Sequence, residues 1–333
     1  MCDILYATNL GKYLLGDSKK ILKEDIYDFL EGKVQLILTS PPFLLNNKKR
    51  YGNLTGEDYK DWFISYAEIF SPLLKDDGSI VIELGNAWEP KRPVQSYLHL
   101  ESLLGFVKNP KANLRLCQEF ICYNPSRLPS PAQWVTVERI RVVDSFTHIW
   151  WMAKSDYPKA DNKKILRPYS RKMRELLKNK KYNFGRRPSE YNIGKTSFLK
   201  NNNGSIMHNL IELEPIMDGS DPRLPENIFS IANTRSNDFF LKTCRERQIK
   251  PHPARMPIEL ACFFIEFLTE PGDLVLDPFA GSNTTGFCAE KFGRKWLSIE
   301  ISDAFAEQAI IRFEDPSIAG DGSGVKPSER TKC

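Results

Sequence analysis

Residues 274–301, LVLDPFAGSNTTGFCAEKFGRKWLSIEI, constrain the fold more than any other stretch of the chain. A four-residue apolar strand ends in Asp277, a loop of small residues leads into the helical run FCAEKFG, and a second strand, RKWLSIEI, carries Glu300 near its end. Strand, helix and strand in so short a span read as a βαβ unit, because strands joined through a helix run parallel. Parallel strands are buried on both faces and need helices to cover each. Just upstream, IELACFFIEFLTEPGD reads as a helix closed by a Pro-Gly turn.

The same alternation fills residues 1–150. Strand-like runs occur at KYLLGD, VQLILTS, GSIVIELG and FTHIWWMAK, and GEDYKDWFISYAEIFSPLLKDDG reads as a helix running to a stop at Gly78. The expected fold class is α/β, a Rossmann-like sheet with helices on both faces. Its two halves, 1–150 and 251–316, flank a smaller inserted region, 151–250, which is rich in Asn, Ser and Pro and poor in periodicity. Residues 317–333 lack the apolar content to fold and are expected to form a flexible tail.

Charge separates these regions. The chain carries a net +5, yet residues 151–200 alone hold 15 Lys or Arg against 4 Asp or Glu, so the remainder is acidic by 6. One basic segment interleaved with Tyr and Phe, on an acidic body, suggests a polyanion partner. A solvated lysine-rich face is the plainer alternative. No apolar run approaches the roughly 18 residues that cross a bilayer, and the N-terminus lacks a basic start and small-residue cleavage site. A cytoplasmic protein without membrane contact is expected. Seven cysteines without CxxC spacing and four histidines give no metal-ligand pattern; Cys117 and Cys122 read as two thiols rather than half a zinc site.

Asp277 stands at the carboxyl end of its strand, the edge where open α/β sheets bind ligands against loop N–H groups and a helix N-terminus. Glu300 follows 23 residues later, at the end of the next strand. A carboxylate there can accept hydrogen bonds from both hydroxyls of a ribose. The loop Asp277-Pro278-Phe279-Ala280-Gly281-Ser282-Asn283-Thr284-Thr285 lacks a full G-x-G-x-x-G, and no Gly-Lys-Ser/Thr follows, which weakens dinucleotide and triphosphate readings. A ligand with a ribose and no phosphate, such as S-adenosylmethionine, fits better. Asn283 replaces a second glycine and is among the few residues that tolerate a left-handed conformation. Near the start, Gly16, Asp17 and Ser18 follow another strand; alone they read as a turn with an N-cap.

VQLILTSPPF, residues 34–43, ends a buried strand in Ser40-Pro41-Pro42-Phe43. Two prolines cannot continue a sheet ladder, so the turn is rigid and poor in donors. At this turn the chain resembles the amino-methyltransferases of DNA, which carry an S/D/N-P-P-Y/F motif. DPFAGSNTTG resembles their cofactor loop, Glu300 their ribose acid, LGDS their adenine-side motif, and His252-Pro253-Ala254-Arg255 the motif preceding the loop. The order, catalytic motif first, then a variable region, then the cofactor loop, is that of the β class. LGDSKK, TSPPF with YGNL, YNPSRLPSP, HPAR and GSNTTG narrow the resemblance to the PvuII-type cytosine-N4 methyltransferases of restriction-modification systems, over about residues 10–315.

That resemblance implies methyl transfer from S-adenosylmethionine to an exocyclic base nitrogen in duplex DNA, with protection against a cognate restriction enzyme. It implies that Ser40 Oγ and the Pro41 carbonyl accept hydrogen bonds from the amine, and that Phe43 stacks on a flipped base. Gly16, Asp17, Ser18, the HPAR residues, the 277–285 loop and Glu300 would hold the cofactor. Ser at the first motif position favours cytosine; adenine N6 remains open. Within the target-recognition region 151–250, Arg167, Arg171, Arg174, Arg186 and Arg187 are candidates for phosphate or base contacts. A nucleotide-dependent oxidoreductase leaves TSPPF and the basic insert unexplained, and a non-enzymatic DNA-binding module accounts for little beyond the charge. The sequence leaves a homodimer open.

Overall fold

In the computed structural model, residues 3–43, 54–214, 229–232, 238–315 and 326–332 are described. Residues 51–53 of YGNL, and 317–325 and 333 of the expected tail, lie outside them.

One sheet dominates. Its strands in chain order are β1 (Asp3–Ala7), β2 (Gly11–Leu15), β3 (Val34–Thr39), β4 (Leu74–Gly85), β5 (Arg115–Tyr123), β6 (Phe146–Ala153), β7 (Leu210–Glu214), β8 (Phe229–Ala232), β9 (Leu274–Asp277), β10 (Lys295–Glu300) and β11 (Lys326–Lys332). Across the sheet they lie in the order β8-β7-β5-β6-β4-β3-β9-β10-β2-β1-β11. The centre, β4-β3-β9-β10-β2, is wholly parallel. β6 runs antiparallel to both neighbours, β4 and β5. From β3 the chain proceeds outward to β4, and from β9 it proceeds the opposite way to β10. The strand order therefore reverses between β3 and β9, the kind of position at which open α/β sheets form a ligand crevice.

All six residues of β3 are buried, as expected of a central strand covered on both faces. From Leu36 to Leu38 its side chains alternate between two cores. Ile37 joins Phe63 and Phe70 of α1 (Gly56–Leu73) and Phe106 of α2 (Leu98–Val107). Leu36 and Leu38 join Phe263 and Phe264 of α5 (Ile258–Leu268) and Phe287 of α6 (Thr284–Lys291) on the other side. Two shorter helices, α3 (Arg171–Asn179) and α4 (Phe239–Glu246), precede this half, and α7 (Asp303–Ala309) follows β10.

Several boundaries differ from expectation. α1 ends at Leu73 rather than at Gly78: Pro72 sits in its last turn, and Leu73 and Leu74 are both fully buried, so the chain passes directly from helix into β4. A boundary at 150/151 would cut β6, which continues through Ala153 with Trp151 and Met152 in the core. The inserted region also lends the sheet β7 and β8. Residues 326–332 are not loose but pair antiparallel with β1. Backbone pairing to an edge strand needs no apolar side chains, which is why composition gave no sign of it.

Candidate active site

At the carboxyl edge, the reversal between β3 and β9 opens a cavity of about 690 Å³. Thr39, the last residue of β3, donates its hydroxyl to Asp277 Oδ1 at 2.7 Å, joining strand ends that are 238 residues apart in sequence. The same oxygen accepts the Phe279 N–H at 3.1 Å. Burial pushes the Asp277 carboxyl up to about 6, against the opposing effect of these hydrogen bonds and one from Thr285. Ser40 and Asp277 thus line one cavity.

Beyond Asp277 the loop turns at Gly281, whose φ is +50°. Its N–H donates to Glu300 Oε2 at 2.9 Å, and its carbonyl accepts the Tyr13 hydroxyl at 2.7 Å. Glu300 Oε1 accepts the Ser302 N–H at 2.8 Å. Burial raises the Glu300 pKa and these two backbone donors oppose the rise. A carboxylate has about four acceptor sites, so Glu300 can still serve a diol. A Cβ at Gly281 would stand 3.3 Å from His252 Nε2, so the imidazole lies close over the loop. That ring is fixed in turn: its Nδ1 accepts the Ala254 N–H at 3.2 Å, and Phe305 meets it edge-on at 4.2 Å. Arg255 donates to the His252 carbonyl at 2.8 Å. Pro253, Ala254 and Arg255 line the cavity with His252.

Asn283 is the exception in the loop. It does not line the cavity; fully buried at φ 56°, it caps α6 by accepting the Gly286 N–H at 3.1 Å, takes the Ser298 hydroxyl at 2.6 Å, and donates to Tyr6. Its left-handed backbone is as expected, but it turns the side chain beneath the helix, away from any ligand. Pro278, Phe279, Ala280, Ser282, Thr284 and Thr285 all line the cavity. So do Gly16, Asp17 and Ser18, although Asp17 also accepts the Lys20 N–H at 3.1 Å as an N-cap. Ser18 shares a 3.0 Å hydrogen bond with Tyr66. Trp62 and Tyr66 of α1 close around Phe279 at 5.6 and 5.1 Å, giving this lobe an aromatic wall.

The proline turn forms the other lobe. Tyr59 donates to the Pro42 carbonyl at 2.8 Å. Phe43 packs against the end of β4, where a Cβ on Gly85 would approach its ring to 2.7 Å; only glycine leaves room there. Glu83, two residues earlier, accepts the Thr147 hydroxyl at 3.0 Å and is also hydrogen-bonded to Ser40. Burial raises its pKa, and those hydrogen bonds and the nearby Arg127 partly offset the rise. Sequence reading missed Glu83, although an acid near a strand's carboxyl end is the signal that marked Asp277 and Glu300. It also missed Arg312, buried beneath the loop, which donates to the Ser282 carbonyl at 2.7 Å and to its hydroxyl at 3.1 Å. Asn124 and Arg127, from YNPSRLPSP, line the cavity as well.

None of the five candidate arginines, Arg167, Arg171, Arg174, Arg186 and Arg187, is among the cavity residues. Arg167 is half-buried and pairs backbone to backbone with Ser205. The other four are exposed. Arg171 donates to Glu175 at 2.9 Å, Arg174 to the Tyr169 carbonyl at 2.7 Å and Arg187 to the Asn183 carbonyl at 3.0 Å, while Arg186 stands 3.6 Å from Glu190. Among the described residues no helix is long and apolar enough to cross a membrane, and no group of three or more His, Cys, Asp or Glu could hold a metal ion.

A family model described as DNA methylase matches residues 34–311. Type II methyltransferase M.PvuII of Proteus hauseri is 40% identical over 316 residues, which span 94% of this chain and 87% of that protein. The solved PvuII DNA methyltransferase (cytosine-N4-specific) is similar with a TM-score of 0.69 at 34% identity, covering 94% of this chain and 89% of that one. The M1.HpyAVI–SAM complex, at 17% identity, shares the fold with a TM-score of 0.53 over 92% of this chain and 100% of its own.

Proposed function

The chain belongs to the N6/N4 DNA methylase family, and on that premise we propose that it methylates the exocyclic N4 amine of a cytosine swung out of duplex DNA. The observation that carries this reading is the Thr39–Asp277 hydrogen bond, which fixes the proline turn and the cofactor loop as two walls of one cavity. S-adenosylmethionine supplies the electrophilic methyl group. The residues present fit it: Glu300 has acceptor capacity left for the ribose, Trp62, Tyr66 and Phe279 offer apolar faces, and Gly281 lets the backbone approach closely.

A cytosine amine is a weak nucleophile because its lone pair is delocalised into the ring. Ser40 Oγ and the Pro41 carbonyl accept hydrogen bonds from the amine and favour a tetrahedral nitrogen whose lone pair points at the methyl group. Glu83 takes the Ser40 hydroxyl proton in a hydrogen bond, which turns the Ser40 lone pairs toward the amine. With its raised pKa, Glu83 is also suited to receive, through Ser40, the proton that the methylated nitrogen sheds. The prolines and the Tyr59 hydrogen bond hold these acceptors still, so they need no reorganisation when charge develops. Phe43, seated on Gly85, gives the flipped base an aromatic face. The exposed arginines of the inserted region serve the phosphates, and the enzyme works in the cytoplasm, protecting DNA from a cognate restriction enzyme.

Incubating the protein with duplex DNA and labelled S-adenosylmethionine, mapping the modified site and identifying the methylated nucleoside by mass tests this reading. N4-methylcytosine is expected. N6-methyladenine alone would overturn the choice of base, and absence of label would overturn methyl transfer.

A further inference from the structure

β5 and β4 are each antiparallel to β6, so they run in the same direction and end at the same edge of the sheet. The loop that leaves β5 therefore emerges beside Glu83, and its Asn124 and Arg127 line the cavity. Both are held in place. Arg127 donates one Nη1 hydrogen bond to the Phe146 carbonyl at 2.9 Å, next to Thr147, whose hydroxyl holds Glu83. Asn124 donates its backbone N–H to the Ser145 carbonyl at 2.7 Å, and its Oδ1 accepts the Ser126 N–H at 3.0 Å. That bond fixes the orientation of the Asn124 amide, whose NH2 keeps both of its donors for a ligand. The charge of Arg127 is felt at Glu83, which places guanidinium, carboxylate and Ser40 on one side of the cavity.

The edge of a cytosine carries the N4 amine, then N3, then O2: a donor followed by two acceptors. Ser40 addresses the donor. The two acceptors call for a pair of N–H groups in a fixed fork, which a guanidinium supplies. Adenine also offers an acceptor, N1, beside its amine, but it presents C2–H where cytosine has O2, so one arm of such a fork would be left unmatched inside a dry pocket. Resting on the methyltransferase reading above, we infer that Arg127, assisted by Asn124, reads the N3 and O2 edge of the extruded base and makes this a cytosine pocket. The proline turn then selects for an amine, and the β5 loop for the ring that bears it.

The test uses the full chain and a duplex carrying the mapped site, with the target position synthesised as cytosine or as 3-deazacytosine, in which N3 is replaced by C–H. The wild-type protein should prefer cytosine by roughly tenfold to a hundredfold in kcat/KM, the scale of one lost hydrogen bond to a charged donor. In R127M the preference should shrink by roughly tenfold or more relative to wild type, since the partner of N3 is already gone. Any intrinsic difference in amine reactivity is common to both proteins and cancels in the comparison. S-adenosylmethionine affinity and thermal unfolding of R127M, matched to wild type, establish that the pocket is intact. Should R127M fail to fold, R127K supplies the comparison: a single ammonium lacks the fork, and the preference should fall several-fold. Equal preference in wild type and the folded variant overturns the inference while leaving the reaction in place. Failure of the wild type to form N4-methylcytosine at any site overturns the reading beneath it instead.

Discussion

The crevice between β3 and β9 and the basic stretch around α3 are held together by opposite means. In the crevice, Thr39, Asp277, Tyr13, Gly281 and Glu300 are linked by hydrogen bonds of 2.7–2.9 Å between groups that are mostly buried. Around α3 the contacts are exposed pairs such as Arg171–Glu175 and Arg186–Glu190, and no residue of the helix is buried. Exposed pairs of this kind contribute about 0–1 kcal/mol and weaken with salt, so they exchange readily for phosphates. Buried polar groups cannot be exchanged without a penalty. One region is held in fixed positions, as chemistry at one atom requires, and the other, on the proposed reading, adapts to a charged polymer. Substitutions in the first should therefore alter single steps by large factors, and substitutions in the second should alter only affinity and its salt dependence.

The largest effect belongs to Ser40. On the proposed mechanism Ser40→Ala removes an acceptor for the reacting amine and leaves the cofactor lobe untouched, so single-turnover methylation should fall roughly 10²–10³-fold. S-adenosylmethionine affinity, measured by calorimetry, should stay within about twofold. Equal losses in both would mean that the turn merely supports the fold, and the contrast between lobes would break. Glu300→Ala reverses the pattern. If Glu300 is the ribose acceptor proposed above, its loss should weaken cofactor binding by roughly tenfold to a hundredfold, with turnover at saturating cofactor changed far less.

How far the sequence discloses this arrangement follows from the range of the interactions. Asp277 and Glu300 are legible because each ends an apolar strand, and Pro41 and Pro42 because proline acts through its own backbone. Those signals are local. Tyr13 supporting Gly281, Tyr59 holding the Pro42 carbonyl and Arg312 beneath Ser282 depend on which strand lies beside which, and nothing near those residues announces it. Glu83 was within reach, since it stands near a strand end as Asp277 does, but the run GSIVIELG reads as plain core. β11 was hidden for the opposite reason, its contribution being backbone pairing that composition does not report. In the inserted region charge is legible and architecture is not, because its strands LIELE and FSIA are only five and four residues long, and so short an alternation does not stand out among polar neighbours.

A smaller effect, visible only through pH, sharpens the account of the crevice. Burial raises the Asp277 pKa from an ordinary carboxyl value to about 6. Below pH ~4 the group is protonated in folded and unfolded chains alike and imposes no electrostatic penalty. Between about pH 4 and 6 the unfolded chain ionises ahead of the folded one and stability falls, until above about 6 the folded protein holds a buried carboxylate at full cost. Asp277→Asn keeps an oxygen for Thr39 and Phe279 and removes the charge. Denaturation midpoints of the variant relative to wild type should therefore improve between pH 4 and pH 8, by an amount corresponding to roughly 1–3 kcal/mol. A difference that stays constant with pH would show that Asp277 remains charged without penalty, and that the crevice is less dry than its hydrogen bonds indicate.

The smallest effect tests the adaptable side. α3 begins at an N-cap, Ser170, whose hydroxyl accepts the Met173 N–H at 3.2 Å, and ends at Lys180 in a left-handed conformation with φ 53°. Neither cap involves Arg171 or Arg174, so replacing both with alanine leaves the helix ends in place. If both side chains neutralise phosphates, the double variant should bind duplex DNA several-fold more weakly at moderate salt. The slope of log K against log salt should become shallower by about 2, close to one counterion for each lost contact. Thermal unfolding and S-adenosylmethionine affinity should match wild type, because neither residue reaches the cavity. A weaker complex with an unchanged slope would mean that the arginines shape the region through their bonds to Glu175 and Tyr169 rather than meeting the polyanion.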